Sequence, residues 1–219
     1  LFWATDAEHG TELWRSDGTP AGTVLVKDIV AGPSSSQPGF LLTAGSSVFF
    51  SECLDSTGCE LYRTDGTESG TGVVTNLNPG AGGGSVSMLG VLRDLCLFAA
   101  EDVNGMGLWR SDGTPDGTFA LADATNGLSS NNVLPLGELN GEFYCSAGSD
   151  SATLWKTDGT AAGTVAVGSM PNWNGGSAIL GDVAVFAAYD AAHGIELWKT
   201  DGTAVGTALL RDINPSGDS

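Results

Sequence analysis

The stretch ELWRSDGTPAGT, residues 12–23, decides the fold because it recurs four more times along the chain. The other copies are ELYRTDGTESGT at 60–71, GLWRSDGTPDGT at 107–118, TLWKTDGTAAGT at 153–164 and ELWKTDGTAVGT at 196–207. The leucine of the phrase steps along the chain by 48, 47, 46 and 43 residues (Leu13, Leu61, Leu108, Leu154 and Leu197). A fixed period of this length is typical of a chain built from copies of one supersecondary unit.

Each repeat predicts four short strands. The first is a loose segment at 39–45, 85–91, 132–139 or 175–181, and the second is a compact apolar run such as 48–52 or 183–189. The third contains the ELW phrase, and the fourth follows its turn. Val, Phe, Leu, Trp and Thr are frequent, with Gly, Asp and Pro between the runs, which is the strand-and-turn pattern. No segment shows helical periodicity over a dozen residues.

Four strands per repeat predict an all-β protein, a β-propeller of about five four-stranded blades. The alternative is a linear β-solenoid, whose coils are normally shorter. The repeats lie at about 1–30, 31–78, 79–124, 125–169 and 170–219, and we expect them to form one domain. The first strand occurs four times and the other three occur five times. This count favours the interpretation that the sequence is a fragment of a longer chain. Two alternatives are also open: residues beyond Ser219 or a partner chain could supply the missing strand.

The turn between the third and fourth strands has the pattern Asp-Gly-Thr, two variable residues, then Gly-Thr. An Asp side chain can bond backbone N–H groups two residues on, and the next glycine can take a positive φ. We therefore interpret the repeated aspartates as turn formers rather than reactive groups. The residues concerned are Asp17, Gly18, Asp65, Gly66, Asp112, Gly113, Asp158, Gly159, Asp201 and Gly202.

The third strand predicts burial on both of its faces. Alternation puts the leucine on one face and the following aromatic residue on the other, so neighbouring sheets must cover both sides. These aromatic residues are Trp14, Tyr62, Trp109, Trp155 and Trp198. A basic residue follows each one, and we expect its stem to lie along the sheet edge with its head at a turn aspartate. These are Arg15, Arg63, Arg110, Lys156 and Lys199.

Composition restricts the classes of partner. The 219 residues include 26 acidic and 8 basic side chains, a net charge of −18. Such a charge repels phosphate backbones and anionic lipid, which argues against nucleic acid as a partner. The sequence also has no apolar run near 18 residues, so no membrane insertion is predicted. Cys53 and Cys59 flank a predicted hairpin tip, where a local disulfide and two free thiols are both open. Cys96 and Cys145 lie in apolar runs and read as buried hydrophobic residues.

The phrase resembles the ELWxxDGT repeat of bacterial extracellular and cell-surface proteins, which often occurs in tandem arrays. All five copies match, although Gly107 and Thr153 replace the glutamate and Tyr62 replaces one tryptophan. The resemblance implies a secreted or surface-displayed, propeller-like β protein. It brings no catalytic residues with it.

No enzyme motif is present in the sequence: it has no Gly-x-Ser-x-Gly elbow, no phosphate loop and no HExxH. A propeller-type glycoside hydrolase would need paired carboxylates, whereas Glu138 is the main acid of the predicted first strands. His9 and His193 occupy matching turns without the further ligands that zinc needs. Isolated turn aspartates leave calcium open, and we expect no other cofactor.

The sequence therefore predicts a non-catalytic domain that serves adhesion, matrix or appendage assembly through protein contacts. Its partners would be other proteins or glycans at the cell surface, or further copies joined through the missing strand. The alternative is a lectin-like propeller, for which Asn172, Trp173 and Asn174 are the candidate binding residues because PNWNGG occurs in one repeat only.

Overall fold

The computed structural model describes residues 1–36, 38–54, 58–78, 85–123, 128, 133–148 and 152–215, except the side chains at 174 and 175. This part of the chain contains nineteen strands. Sheet one consists of β1 (Phe2–Asp6), β2 (Gly10–Arg15) and β3 (Val24–Lys27). Sheet two consists of β4 (Leu42–Ala44), β5 (Ser47–Leu54), β6 (Gly58–Thr64) and β7 (Gly72–Thr75).

The other three sheets repeat the pattern of sheet two. Sheet three consists of β8 (Val86–Leu92), β9 (Leu95–Asp102), β10 (Gly105–Ser111) and β11 (Phe119–Ala122). Sheet four consists of β12 (Val133–Leu139), β13 (Glu142–Ala147), β14 (Thr153–Thr157) and β15 (Val165–Ser169). Sheet five consists of β16 (Asn172–Leu180), β17 (Val183–Asp190), β18 (Gly194–Thr200) and β19 (Ala208–Arg211).

Every sheet is a meander in which strands adjacent in sequence are adjacent in space. A four-stranded meander repeated along the chain is the blade of a β-propeller, so the predicted all-β propeller class is confirmed. Each sheet lies within one of the repeats delimited above. Sheet one has three strands, as the count of first strands indicated.

The chain divides into two compact units. The first comprises Leu1–Val103 and Arg110–Phe119, and the second comprises Asn104–Trp109 and Ala120–Ser219. The boundary therefore runs through the residues of sheet three.

The two faces of each sheet are named after the phrase of the third strand. The Leu face carries the leucine of the phrase, and the Trp face carries the aromatic residue after it. The leucines of the first four repeats are almost completely buried: Leu13, Leu61, Leu108 and Leu154. Trp109 and Trp155 are also buried, whereas Trp14, Tyr62 and Trp198 are half-buried. Both faces thus contribute to the core, as the alternation predicted.

In the first unit, the Leu face of sheet one packs on the Trp face of sheet two. Leu13 belongs to one hydrophobic cluster with Phe50, and Trp3 and Tyr62 pack against that cluster. The rings of Trp3 and Phe50 meet edge to face with their centroids 5.2 Å apart. The stabilisation comes from apolar area that neither sheet could bury alone.

In the second unit, sheets four and five meet in the same way. Tyr144 and Leu154, from the Leu face of sheet four, form one cluster with Phe186 and Ala184 from the Trp face of sheet five. Trp198 packs against the same cluster. The order Leu face against the Trp face of the next sheet is therefore the same in both units.

Candidate functional site

The turn of the repeated phrase is closed by its own side chains. In the first repeat, the Asp17 carboxylate accepts hydrogen bonds from the Thr19 backbone N–H (2.9 Å) and from the Thr19 hydroxyl (2.8 Å). The Thr19 hydroxyl oxygen accepts the Gly22 N–H at 3.0 Å, and the Thr23 hydroxyl donates to the Thr19 carbonyl at 2.8 Å. The turn needs no partner outside the phrase.

The same bonds recur in the other four repeats with nearly identical lengths. Asp65, Asp112, Asp158 and Asp201 each accept the N–H and the hydroxyl of the threonine two residues on. The threonine side-chain hydrogen bond is the main cause that holds the pKa of four of these carboxyls below its usual value: Asp17, Asp65, Asp112 and Asp201. An acid held ionised in a closed turn suits structure better than proton transfer.

Both glycines of the phrase have a steric role. Gly18 has a φ of 91°, a left-handed conformation that strains other residues, and its equivalents have φ between 86° and 90°. A side chain at Gly22 would collide with the Asp17 carboxylate, and the same collision occurs at the corresponding glycine of every repeat. The spacing of Asp and Gly in the phrase is therefore fixed by contact.

The basic residues after the aromatics follow the predicted pattern in part. Lys156 Nζ binds Glu142 of the adjacent strand β13, at 2.9 and 3.0 Å, instead of a turn aspartate. The Arg110 guanidinium lies 4.5 Å from the centre of the Phe119 ring. Arg15 remains close enough to Asp17 to contribute to its lowered pKa, after the hydrogen bonds and against desolvation. The basic residue two positions before the aspartate contributes in the same way to the lowered pKa at three other turns, those of Asp65, Asp112 and Asp201.

The glutamate of the phrase has a role that the sequence analysis missed. Glu12 is fully buried, and its carboxylate accepts the backbone N–H groups of Ile29 (2.9 Å) and Val30 (3.1 Å), just after β3. Glu60 accepts the N–H of Leu77 at 2.8 Å, and Glu196 accepts those of Ile213 (2.8 Å) and Asn214 (3.2 Å). The glutamate thus anchors the chain where it leaves the fourth strand.

The two repeats without the glutamate differ at this point of the sheet. In the fourth repeat, the N–H of Met170 donates to the backbone carbonyl of Ala152 at 2.9 Å. In the third repeat, a side chain at Gly107 would lie 2.8 Å from the Ala122 carbonyl oxygen, so no glutamate fits. The constant distance of 17 residues between the glutamate and its first N–H partner is the signal that could have revealed this contact.

The two histidines lie in turns of the same geometry. The Nδ1 of His9 is 2.9 Å from Asp6 Oδ2, and the Nδ1 of His193 is 2.9 Å from Asp190 Oδ2. Each aspartate also accepts the backbone N–H of its histidine. Within the described residues, no group of three or more His, Cys, Asp or Glu side chains could hold a metal ion.

The two candidate lectin residues with described side chains, Asn172 and Trp173, do not share an open site. Trp173 is only 3% exposed, packs 5.8 Å from the Phe186 ring centre and donates its indole N–H to the Gly176 carbonyl. Asn172 is exposed on β16, and the side chain of Asn174 lies outside the described residues. An irregularity in the β16–β17 register between Trp173 and Ser177, with Gly176 at a φ of 84°, accompanies the inward position of the indole.

The hairpin of sheet two contains the disulfide. Cys53 and Cys59 stand opposite each other on β5 and β6 and are bonded. Cys96 and Cys145 are buried free thiols, and burial raises the pKa of each to about 12. Such thiols are unreactive at neutral pH.

An open apolar depression of about 300 Å³ lies beside sheet one. It is lined by Trp3 and residues 38–41, among which the Phe40 side chain is 89% exposed. The Trp3 indole N–H donates to the Gly39 carbonyl at 3.1 Å, so the polar edge of this indole is already used. The lining residues carry no ionisable side chain.

The Leu face of sheet five presents several exposed apolar side chains. Tyr189 and Ile195 stand opposite each other in the β17–β18 register and are 46% and 41% exposed. Ala187 is exposed beside Leu197, which is half-buried although its four equivalents are buried. Leu180, on the neighbouring strand, is 62% exposed. This surface, the Leu face of sheet five, is the candidate interaction site.

No protein-family model matches the chain, and no curated protein matches it significantly. Among solved structures, it is similar to a prolyl endopeptidase (14% identity, TM-score 0.58, 94% of this chain and 31% of the other). It is also similar to an oligogalacturonate lyase in complex with manganese (14%, 0.57, 90% and 58%). A third is a puromycin-hydrolysing peptidase of Mycobacterium tuberculosis (12%, 0.54, 95% and 37%).

These similarities concern the fold alone, because the sequence identity is low. The chain spans between 31% and 58% of the length of these three proteins. In the described part of the chain, no helix is long and apolar enough to cross a membrane.

Proposed function

We propose that this chain is a non-catalytic repeat domain of a secreted or cell-surface protein, serving adhesion, matrix or appendage assembly through protein contacts. The observation that carries the proposal is the exposed Leu face of sheet five. On this face Leu197 is half-buried, whereas its four equivalents are buried, and Tyr189 and Ile195 beside it are exposed. Contiguous exposed apolar surface marks a protein-binding site.

The state of the repeated acids supports a non-catalytic role. The turn aspartates are bound to the backbone N–H and hydroxyl groups of their own turns, and the phrase glutamates are bound to the backbone after the fourth strand. A general acid or base needs a carboxyl group that faces substrate within hydrogen-bond reach. The recurring carboxylates of this chain are instead hydrogen-bonded to groups of the chain itself.

The surface charge supports a protein partner over a nucleic acid. With 26 acidic and 8 basic side chains, the chain repels polyanions. The apolar Leu face of sheet five interrupts this acidic surface with Val185, Leu197, Tyr189 and Ile195. An apolar centre within a charged rim is the usual anatomy of a protein interface.

The proposal is tested by measuring binding of the chain to bacterial surface proteins. The probe is a surface-protein extract of the bacterium that encodes the chain, applied to the immobilised chain either intact or after digestion with proteinase K. We expect the intact extract to bind and the digested one to fail. Ile195→Lys should abolish binding, because it places a charge in the apolar face, whereas Val205→Lys should not, since Val205 is 94% exposed in the turn of the same sheet.

A glycan array separates this proposal from the lectin alternative. We expect no binding signal on the array with the wild-type chain. Array signal that survives Ile195→Lys and is lost in Asn172→Ala would contradict the proposal and support sugar binding.

A further inference from the structure

We infer that the Leu face of sheet five binds the Trp face of sheet one of a second copy, so that copies of this chain join head to tail. The inference rests on the proposed function, for which it names the partner. It uses a contact that the protein already makes twice within its own chain.

The template for this contact is the packing of consecutive sheets. Sheet one presents Leu13 and Trp3 to Phe50 of sheet two, and sheet four presents Leu154 and Tyr144 to Phe186 of sheet five. In both pairs a Leu face meets the Trp face of the following sheet. The Leu face of sheet five carries the half-buried Leu197 at the leucine position, with the exposed Ala187 opposite it where sheet one has Trp3.

The complementary surface is the Trp face of sheet one. Phe2 pairs with Trp14 across β1 and β2, in the register that Phe50 shares with Tyr62 and Phe186 with Trp198. Phe50 and Phe186 are no more than 2% exposed, whereas Phe2 is 36% exposed and Trp14 is half-buried. Sheet one therefore has the aromatic pair of a Trp face, but its Phe2 is not buried as Phe50 and Phe186 are.

Individual positions of the two faces also match. Val185 and Lys199 are opposite each other on the Leu face of sheet five, where sheet two has Phe49 and Arg63. Phe49 and Arg63 lie beside the turn glycine of the next repeat, Gly113, within 3.4 Å of where its Cβ would be.

The corresponding glycine of sheet one is Gly18, and no atom lies within 4 Å of where its Cβ would be. Gly66 is equally open, and the residue at the Phe49 position in sheet one is the exposed Leu1. In the proposed contact Val185 fills the space before Gly18. Lys199 then lies beside the ionised Asp17, which adds an attraction between unlike charges.

A contact between two different faces leaves one face of each kind free on every dimer. Such a heterologous interface extends to open chains unless its rotation closes a ring. We therefore expect the mass of the wild-type chain to rise with concentration above the 22.2 kDa of one copy.

The test uses two variants that each block one face. Ile195→Lys blocks the Leu face of sheet five, and Phe2→Lys blocks the Trp face of sheet one. A lysine at the centre of an apolar interface should weaken self-association by about 30-fold or more. The matched controls, Val205→Lys and Val103→Lys, make the same charge change at side chains that are 94% and 83% exposed. Mass is measured by sedimentation equilibrium, and folding is checked by circular dichroism.

Mixing the two blocked variants gives the decisive result. Each variant alone should remain at 22.2 kDa, whereas an equimolar mixture should form a dimer of about 44 kDa, twice that mass, and nothing larger. This follows because each variant retains the face that the other has lost. A mixture that stays monomeric, while the wild-type chain assembles, overturns the inference.

Two other outcomes also overturn it. A wild-type chain that stays at the mass of one copy excludes head-to-tail assembly. The proposed function is then tested by the binding to surface proteins alone. Assembly that survives Phe2→Lys points to pairing through the backbone of β1, which a side-chain change leaves intact.

Discussion

At the scale of the residue, the phrase combines side chains that close a turn with one that anchors the next segment. The roles of Asp17 and Gly18 were predictable, because short-range hydrogen bonding and positive φ are properties of residue type. The role of Glu12 was not, since its partners Ile29 and Val30 lie 17 and 18 residues further along. Sequence spacing alone does not show which acid is buried.

Substitution of Glu12 should separate hydrogen bonding from charge. Glu12→Ala leaves the N–H groups of Ile29 and Val30 without their acceptor, and should lower the free energy of unfolding by about 1–3 kcal/mol. Glu12→Gln keeps an acceptor oxygen and should cost less. Urea unfolding measures both, with Glu8→Ala, in an exposed turn, as the control. Equal effects of Glu8→Ala and Glu12→Ala would contradict the anchoring role.

The same carboxyl makes stability depend on pH. Burial raises the pKa of Glu12 above its ordinary value of 4.5, against the opposing effect of its backbone hydrogen bonds. The folded state then binds the proton more tightly, so this group's contribution to stability is fully present below pH 4.5 and is lost as pH rises through the raised pKa. Glu12→Gln should flatten this decline, which urea unfolding across that range would detect.

The two histidines should titrate above the usual range. The hydrogen bond that its ring donates to the Asp6 carboxylate raises the pKa of His9 above 6.5, and the bond to Asp190 does the same for His193. Each contribution to stability is therefore present below pH 6.5 and is lost as pH rises through the raised value. NMR titration should show both shifts, and Asp6→Asn should return His9 toward 6.5 while His193 stays unchanged. A His9 pKa at or below 6.5 in the wild-type chain would refute this.

At the scale of the element, alternation predicted which face each strand residue occupies, and the strand limits were predicted within a few residues. The first strand of the fifth repeat shows where the sequence was insufficient. It was placed at 175–181, whereas β16 covers Asn172–Leu180 and includes Trp173. The register irregularity after Trp173 depends on the backbone at Gly176, and hydrophobic periodicity does not record such a break.

The tryptophans of the third strands should differ in their contribution to stability. Trp155 is 5% exposed, so Trp155→Ala should cost about 3–5 kcal/mol. Trp14 is half-buried on the Trp face of sheet one, and Trp14→Ala should cost clearly less. Chemical denaturation at low protein concentration, where the chain is monomeric, measures both. Similar small losses at the two positions would show that the sheets do not shelter Trp155.

At the scale of the whole molecule, the charge of −18 opposes folding through mutual repulsion of the acids. Raising the salt concentration from about 0.01 M to about 1 M shortens the Debye length from about 30 Å to about 3 Å. The melting temperature should therefore rise with sodium chloride concentration. A chain in which single ion pairs such as Lys156–Glu142 dominated would instead lose stability over this range.

The number of sheets and their strand order followed from the repeat, because copies of one phrase demand copies of one structure. The division into two units did not follow, since every repeat has the same local pattern. The exposed Leu face of sheet five was also beyond the sequence analysis. Leu197 occupies the same position of the phrase as Leu13, so the phrase alone does not indicate that Leu13 is buried and Leu197 only half-buried.

The self-contained turns have a consequence for engineering. Apart from Ser69, whose hydroxyl lies 3.4 Å from that of Thr67, the two variable residues of each turn take no part, through their side chains, in the hydrogen bonds that close it. Val205, at one of these positions, is 94% exposed. Substitutions at these two positions, which keep the spacing between the aspartate and the second glycine, would leave the strands on either side in place. The chain thus offers five equivalent loops for display, spaced by the length of one repeat.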